Sequence, residues 1–299
     1  MSIFSEKTSG VINSTDLKKP QIKLMYWIAF LVIFVISLAC ILPPLWIMIS
    51  SLKDIKEYFQ VPPTIIPKSF HIEKLAETWN LFKFGKYYLN SIQICAGAVV
   101  FTILFNGSLG YVLSRLKPKG SKIVFMAILW TMMLPNSVSM VPLFKNFVKF
   151  PILHVNLTNS YLPLWLMAGA SAFYVMVFKS YFDGIPSALI EAARLDGCNN
   201  FSIFYRIILP LSKPVIIVAS IFTINNTWGE FFWSYLVIRE PSKYSVMVKI
   251  FTMATSGSSG ISQDLIIISL IFAIIPPVIL FIFFQKHIMQ GFTLSGIKG

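Results

Sequence analysis

The sequence predicts an all-α integral membrane protein with six transmembrane helices, and three observations support that fold class. First, 56% of the 299 residues are apolar and 12% are charged, about half the charged share of a soluble domain. Second, six runs of 21 to 29 residues hold at most one charge each, enough for a helix to cross about 30 Å of hydrocarbon. Third, these runs lack the strict alternation of membrane β-strands, which need only about 10 residues each.

The six runs follow one another with short charged segments between them. They cover residues 24–52, 87–114, 123–144, 155–178, 214–238 and 265–285. The first run is too long for a cleaved signal segment of about 7 to 15 apolar residues, so we expect it to remain as an anchor. We therefore divide the chain into a tail (1–23), a first transmembrane helix (24–52), a loop (53–86), a five-helix core (87–285) and a second tail (286–299).

The distribution of lysine and arginine predicts which side of the membrane each segment faces. Segments on the side of the two termini carry 14 of the 25 basic residues, and the opposite side carries 11. The short segment 115–122 alone holds Arg115, Lys117, Lys119 and Lys122, and short basic loops stay in the cytoplasm. Both termini are thus expected in the cytoplasm. Because the net charge of +13 is spread over both faces, no nucleic-acid partner is expected.

Several kinds of chemistry find no support in the sequence. Cys40, Cys95 and Cys198 have neither metal-like nor redox-like spacing, so we expect no metal site and no disulfide. The glycine-rich loop that cradles nucleotide phosphates, with its Gly-Lys-Ser/Thr ending, does not occur, so any ATP must bind to another subunit. The three histidines lie far apart in sequence, so no catalytic residues are expected.

The segment 183–214, between the fourth and fifth runs, differs from the other loops and predicts two short helices. Ser187 follows a proline and can cap the first helix, and Gly197 supplies the left-handed residue that ends it. Asn199 or Asn200 can cap a second helix over residues 201–209, which Pro210 would stop. Small and apolar residues on the first helix suit close docking against another protein, although an amphipathic hairpin lying on the membrane surface is the alternative.

This segment resembles the signature loop of inner-membrane subunits of binding-protein-dependent ATP-binding-cassette (ABC) importers. The matching residues are Glu191, Ala192, Ala193, Asp196 and Gly197, followed by Ile208, Leu209 and Pro210. The resemblance implies a type I importer permease fold in which a cytoplasmic coupling helix contacts the ATPase through Glu191, Ala192, Ala193, Leu195, Asp196 and Gly197. Cys198 stands where alanine is usual, a mild departure.

Other segments resemble the smaller membrane subunit of carbohydrate importers of the maltose type. They are Ser51 to Lys53 with Pro62, Pro63 and Pro67, then Asn90 and Ser91, and at the end Gln290, Gly291, Gly296, Lys298 and Gly299. The resemblance implies a homologous second permease subunit, an ATPase dimer holding ATP and Mg, an extracytoplasmic solute-binding protein, a saccharide substrate and a bacterial inner membrane. It also implies that Gln290 and Gly291 contact the ATPase, with a merely disordered tail as the alternative.

Two sets of residues are candidates for contact with the transported solute or its binding protein. The polar tip Ser256, Gly257, Ser258, Ser259 and Gly260 resembles the loop that reaches into the binding protein, or it is a slack connector. Asn225, Asn226, Trp228 and Glu230 combine amides, a ring and a carboxylate, a mixture that binds sugars. Glu230 lies only nine residues before Arg239, so a structural role near the outer surface is favoured for it. The positive charge outside would also suit acidic saccharides.

A stand-alone, ion-coupled secondary transporter is the main rival function. Such carriers place carboxylates or histidines at mid-membrane to bind the coupling ion, and only Glu230 lies inside a run here. An intramembrane enzyme would need a cluster of acids, bases or metal ligands, which the sequence does not bring together. Uptake that depends on ATP and a binding protein, rather than on an ion gradient, distinguishes these functions.

Overall fold

The computed structural model describes residues 20–151, 154–255 and 261–296, and every regular element in these ranges is a helix. The chain divides into two compact units, residues 1–71 and 72–299. The boundary falls inside the segment 53–86 that the sequence predicted as one loop, because residues 73–81 form a helix of the second unit.

In the first unit, a long apolar helix is followed by a small lobe. Helix α1 spans Pro20–Ser50 and continues through its two prolines, and α2 spans Ile55–Tyr58. Two charged side chains are buried in the lobe: Lys53 donates to the carbonyl of Thr64, and Glu57 accepts from the Thr64 hydroxyl at 2.6 Å. The backbone N–H of Lys68 also donates to Glu57, at 3.1 Å. The hydrogen bond from Thr64 holds the pKa of Glu57 below its usual value of 4.5.

The second unit contains the remaining helices. They are α3 Glu73–Leu81, α4 Phe84–Leu116, α5 Ser121–Thr131, α6 Asn136–Val148, α7 Leu162–Gly169, α8 Ala172–Asp183, α9 Ser187–Leu195, α10 Asn200–Leu211, α11 Lys213–Gly229, α12 Phe232–Val237, α13 Val246–Thr255 and α14 Gln263–Gly296. Within the described residues, three helices (α1, α4 and α14) are long and apolar enough to span a membrane, and up to five spans result if two bent pairs each count as one.

Three of the six predicted spans are not continuous helices, and one of them, run 155–178, is divided between α7 and α8. Run 123–144 is divided between α5 and α6, because Pro135 adopts extended backbone before α6 and disfavours helical conformation at the residue before it. Run 214–238 is interrupted where α11 ends and Glu230 is extended, with ψ of 105°. The cytoplasmic tail predicted from residue 286 also differs, since α14 continues as helix to Gly296.

The helices of the second unit pack around separate apolar cores. One core joins α4, α8, α9, α10 and α11 and centres on Phe178, Phe182, Ile203 and Ile208, all fully buried. A second core joins α4, α11, α13 and α14 around Phe84, Ile268 and Phe272. Because both helices of the segment 187–211 contribute to the first core, that segment is part of the bundle and not a peripheral hairpin.

Candidate coupling surface and transport pathway

Helix α9 forms because its apolar residues recur on one face and its end is closed by a glycine. Ile190 and Ala193 are buried in the first core. After Leu195, Gly197 has φ of +80° and donates to the carbonyl of Arg194 at 3.1 Å, while Cys198 donates to Ala193 at 2.9 Å. This pair of bonds is the Schellman motif, which favours glycine at the left-handed position. The prediction that Gly197 ends this helix in the left-handed conformation is confirmed.

The N-terminal cap of α9 differs from the sequence prediction. Ser187 is the first helical residue, and Pro186 occupies the capping position with extended backbone. No side chain caps the helix there. Pro186 has no backbone N–H to donate to an earlier carbonyl. A helix therefore does not extend through it towards the N-terminus, and α9 starts at the next residue.

The opposite face of α9 is exposed and mixes apolar with charged side chains. Leu195 is 89% exposed and Leu189 is 45% exposed. Ala192, Glu191 and Asp196 are exposed as well. Of the six residues predicted to contact the ATPase, only Ala193 is buried, because it packs into the core of its own bundle. The exposed face of α9 thus carries two large apolar side chains beside acidic ones, on a base packed into the bundle.

The second helix of the segment is longer than the sequence predicts. Asn199 caps α10, and its side-chain oxygen accepts from the N–H of Ser202 at 2.8 Å, as expected. The helix passes through Pro210 to Leu211 instead of stopping. A π-helical turn at Phe204–Ile208 immediately precedes the proline, and its wider spacing accommodates a residue that breaks regular α-helical hydrogen bonding.

The end of α4 fastens this segment to the bundle. The guanidinium of Arg115 donates to the carbonyls of Phe182 and Ile185, one at the end of α8 and one just before α9. One residue earlier, the hydroxyl of Ser114 donates to Asp183 at 2.7 Å. A charged donor that binds two carbonyls fixes a chain reversal firmly, so α4 and the start of α9 are held as one piece.

The candidate pathway residues on α11 do not lie together on one exposed face. Asn225 and Asn226 are exposed near the end of α11. Trp228, by contrast, is only 7% exposed and donates its indole N–H to the carbonyl of Ala273 at 3.0 Å. The ring is part of the second core, because its apolar area is buried while its N–H finds a partner, and Trp228 also lines the larger cavity described next. A contact between Trp228 and the solute stays a prediction.

Two cavities adjoin these residues. The larger, about 490 Å³, lies between α4, α11 and α14 and is lined almost entirely by apolar side chains, with Asn225 as a polar exception. The smaller, about 150 Å³, includes Asn226 and Glu230 among its lining residues. The two asparagines thus face different cavities, so the four candidates do not form one sugar-binding constellation.

Glu230 caps the helix that follows it. Its carboxylate accepts from the backbone N–H of Trp233 at 2.9 Å, at the first turn of α12. A carboxylate at a helix N-terminus satisfies an N–H that has no partner within the helix and interacts favourably with the helix dipole. The structural role favoured for Glu230 by the sequence agrees with this contact.

The other predicted contact residues give less structural information. The tip Ser256–Gly260 lies outside the described residues, and the side chains of Gln290 and Gly291 do too, although both positions fall within the backbone of α14. Among the described residues no group of three or more metal-ligating side chains occurs.

Lys249 on α13 lies 5.5 Å from the ring centres of Phe82 and Tyr87, and burial lowers the pKa of its amine.

With this geometry in view, comparison with known proteins identifies the family. The family of binding-protein-dependent transport system inner membrane components matches residues 106–293. The chain belongs to this family. The match covers the end of α4, the whole segment 187–211 and most of α14. Family membership supports an importer component over a stand-alone ion-coupled carrier.

Individual relatives of this inner membrane component extend over almost its full length. The arabinooligosaccharides transport system permease protein AraQ of Bacillus subtilis (strain 168) is 32% identical over 279 residues, covering 92% of this chain and 97% of that protein. The sn-glycerol-3-phosphate transport system permease protein UgpE of Yersinia pestis bv. Antiqua is 27% identical, covering 88% and 95%. The chain is therefore a binding-protein-dependent importer permease of the bacterial inner membrane.

A solved structure shows the same fold. It is a crystal structure of a bacterial ABC transporter involved in the import of the acidic polysaccharide alginate, with a TM-score of 0.77 to this chain. The alignment covers 90% of this inner membrane component and 98% of that chain at 20% identity. This likeness confirms the type I permease fold expected from the sequence.

Sequence reasoning missed two groups of this inner membrane component whose side chains join helices of the second unit. Arg115 counted only as a charge that indicates sidedness, whereas it binds two carbonyls of the segment's base. Thr102 and Asn106 lay inside an uncharged run and carried no signal, yet both are fully buried with side-chain hydrogen bonds to α7. The sequence hinted at these two residues only because they are polar and lie inside an apolar run long enough to cross the bilayer.

Proposed function

We propose that this chain is one of two homologous membrane subunits of an ATP-driven saccharide importer. In this proposal a separate ATPase dimer binds ATP and Mg, and an extracytoplasmic binding protein delivers the solute. The observation that carries the coupling role is the exposed face of α9 on a base clamped to α4: Leu195 projects into solvent while Ile190 and Ala193 are buried beneath it. A lever of this kind transmits a push from its tip only if its base is rigid.

The proposed topology has six spans with both termini in the cytoplasm. Helices α5 and α6 would make the span that neither forms alone, as the bent pair α7 and α8 would make another. The basic segment 115–122 between α4 and α5 supports a cytoplasmic location, because short basic loops stay inside. The segment 187–211 then lies on the same side, where an ATPase can reach it.

The mechanism we infer is alternating access driven from the cytoplasmic face. Closure of the ATPase dimer would move α9, and Arg115 would pass that movement to α4 through the carbonyls of Phe182 and Ile185. Since α8 ends at Asp183, which accepts from Ser114, the same displacement reaches α8. Helices α4 and α8 thus move together with α9, as rigid-body models of transporters require.

A saccharide is the substrate class that we propose, because a relative that is 32% identical is named as a permease for arabinooligosaccharides. The exposed amides of Asn225 and Asn226 would supply hydrogen bonds, and Glu230 would act by holding α12 in place. A relative named for sn-glycerol-3-phosphate makes a phosphorylated polyol the compound to test beside neutral and acidic oligosaccharides. The tip Ser256–Gly260 would contact the binding protein, and Gln290 and Gly291 the ATPase.

The coupling role is tested by changing the tip of the lever while leaving its base intact. In the complex reconstituted into vesicles, Leu195→Asp removes the projecting apolar group, and Gly197→Pro disrupts the Schellman end of α9. We expect both variants to insert and to lose the stimulation of ATP hydrolysis by loaded binding protein. Leu81→Asp is the matched control, since Leu81 is 64% exposed and lies at the end of α3. Full stimulation in Leu195→Asp and Gly197→Pro would refute the coupling role.

A further inference from the structure

The span formed by α7 and α8 is broken in the middle of the bundle. Helix α7 ends at Gly169, α8 begins at Ala172, and the two axes are bent by 44°. A break of this kind leaves the last carbonyls of the first helix and the first N–H groups of the second without partners inside a helix. In a membrane these groups need partners from neighbouring segments, because no water is at hand to replace them.

One side chain of α4 supplies a partner on each side of this break. The Asn106 amide nitrogen donates to the carbonyl of Ala168 at 2.9 Å, and the Asn106 oxygen accepts from the N–H of Ser171 at 3.0 Å. Asn106 is only 1% exposed. Thr102, one turn earlier, donates its hydroxyl to the same Ala168 carbonyl at 3.2 Å. The break is therefore tied to α4 by three hydrogen bonds.

The tie reaches a third helix and sits in an altered part of α4. The hydroxyl of Thr223 on α11 donates to the hydroxyl of Thr102 at 3.4 Å, and both residues are buried. Residues Thr102–Asn106 form a π-helical turn, a feature that re-aims side chains and recurs at functional positions of helices. Helix α4, the break between α7 and α8, and α11 thus meet at one buried polar node.

We propose that Asn106 is a positioning residue that makes α4 and α8 one rigid strut between the bundle and the coupling segment. Three contacts run along this strut: Asn106 holds the start of α8, Gly110 lies against Phe178 in its middle, and Arg115 holds its end. Movement imposed on α9 then reaches the break at Ala168 and Ser171 without being absorbed by independent rotation of α8. The inference rests on the coupling role proposed above.

The chemistry of the node makes asparagine specifically suitable. The side chain must donate to one backbone group and accept from another at the same time, which an uncharged amide does with two separate atoms, whereas leucine does neither and an ionised aspartate only accepts. Glutamine carries the same two groups on a side chain one methylene longer, so it is the variant that can restore both bonds. Leucine has the same number of side-chain heavy atoms as asparagine, branched at the same position, and restores neither bond.

The experiment compares node variants in the full complex reconstituted into vesicles. Assembly is measured by size-exclusion chromatography, and coupling by the ratio of ATP hydrolysis with loaded binding protein to hydrolysis without it. In Asn106→Leu we expect an assembled complex whose ratio falls roughly tenfold, since changes along a coupling route alter coupling on this scale. Asn106→Gln should recover most of the ratio, and Thr102→Val, which removes one of two donors to Ala168, should lose a smaller part.

Ser220→Ala is the matched control because its hydroxyl bonds only to the carbonyl of Ile216 within α11, and its ratio should equal that of the unaltered protein. An unchanged ratio in assembled Asn106→Leu would overturn the proposal. Loss of assembly in both Asn106→Leu and Thr102→Val would also overturn it, because the node would then serve the fold alone. If Gly197→Pro keeps its stimulation while Asn106→Leu loses it, the coupling role of α9 fails and the node acts by another route.

Discussion

The close approach of α4 and α8 can be tested by adding a single methyl group at Gly110. An alanine Cβ at this position would lie 2.9 Å from the Cβ of Phe178 and 3.1 Å from the backbone nitrogen of Lys179. Both atoms belong to the backbone of α8 or are fixed directly to it, so neither can turn away as the end of a flexible side chain would. The substitution must therefore push α8 away from α4.

The magnitude follows from two opposing contributions. Forcing an extra methyl group into a packed site costs about 1–3 kcal/mol. Replacing glycine by alanine within a helix returns about 1 kcal/mol, because alanine loses less conformational freedom. The net change in the free energy of unfolding for Gly110→Ala is thus a loss of about 0–2 kcal/mol, together with a displacement of the strut.

Gly107→Ala separates these contributions. Gly107 lies in the same helix one turn earlier, and an added Cβ there meets no atom within 4 Å. Gly107→Ala therefore gains the stabilisation from helix propensity without the steric clash. The free energies of unfolding of the two variants should differ by about 1–3 kcal/mol. The assay is thermal unfolding of both purified variants in detergent, followed by binding-protein-stimulated ATP hydrolysis in vesicles. Equal unfolding temperatures for the two alanine variants would refute the close contact between α4 and α8.

Two further predictions concern charged anchors. Arg115→Met removes two charge-assisted hydrogen bonds, each contributing about 2 kcal/mol. We therefore expect faster protease cleavage within 186–200 and reduced stimulation of ATP hydrolysis. For Arg115→Lys, both the cleavage rate and the stimulation should lie between those of Arg115→Met and the unaltered protein. For Glu57, the pKa is lowered in the folded lobe, so its stabilisation is present above the unfolded pKa and is lost as pH falls through the folded value. Glu57→Gln should loosen the lobe at pH 7 and flatten the pH dependence of its proteolysis below pH 4.5; an unchanged pH profile would contradict this assignment.

Local signals in the segment 187–211 were readable from the sequence because they depend on neighbouring residues. Gly197 and Asn199 act through backbone geometry and hydrogen bonds within four residues, so residue type and spacing predict them. The end of α10 was missed because a π-helical turn before Pro210 overrides the usual stop. The break in run 123–144 is signalled by Pro135, because a proline inside an apolar run disfavours helical conformation at the residue before it, whereas hydropathy measures only the length of the run.

Residues whose roles depend on distant partners were not readable. Trp228 looked like a sugar platform beside two asparagines, and only the position of Ala273 on another helix shows that its N–H is already engaged. Asn106 meets a helix break more than 60 residues further along the chain. Periodicity assigns faces to helices, but it does not specify which backbone groups of another span need a partner.

The most direct test of the account locates the tip of α9 in the working complex. A photo-cross-linking amino acid is placed at position 195, and another at the exposed position 254 at the end of α13, in complexes that contain ATPase and binding protein. Illumination should join position 195 to the ATPase subunit and not to the binding protein, while position 254 should show no adduct with the ATPase. An adduct between position 195 and the extracytoplasmic binding protein, or with lipid alone, would contradict the coupling role.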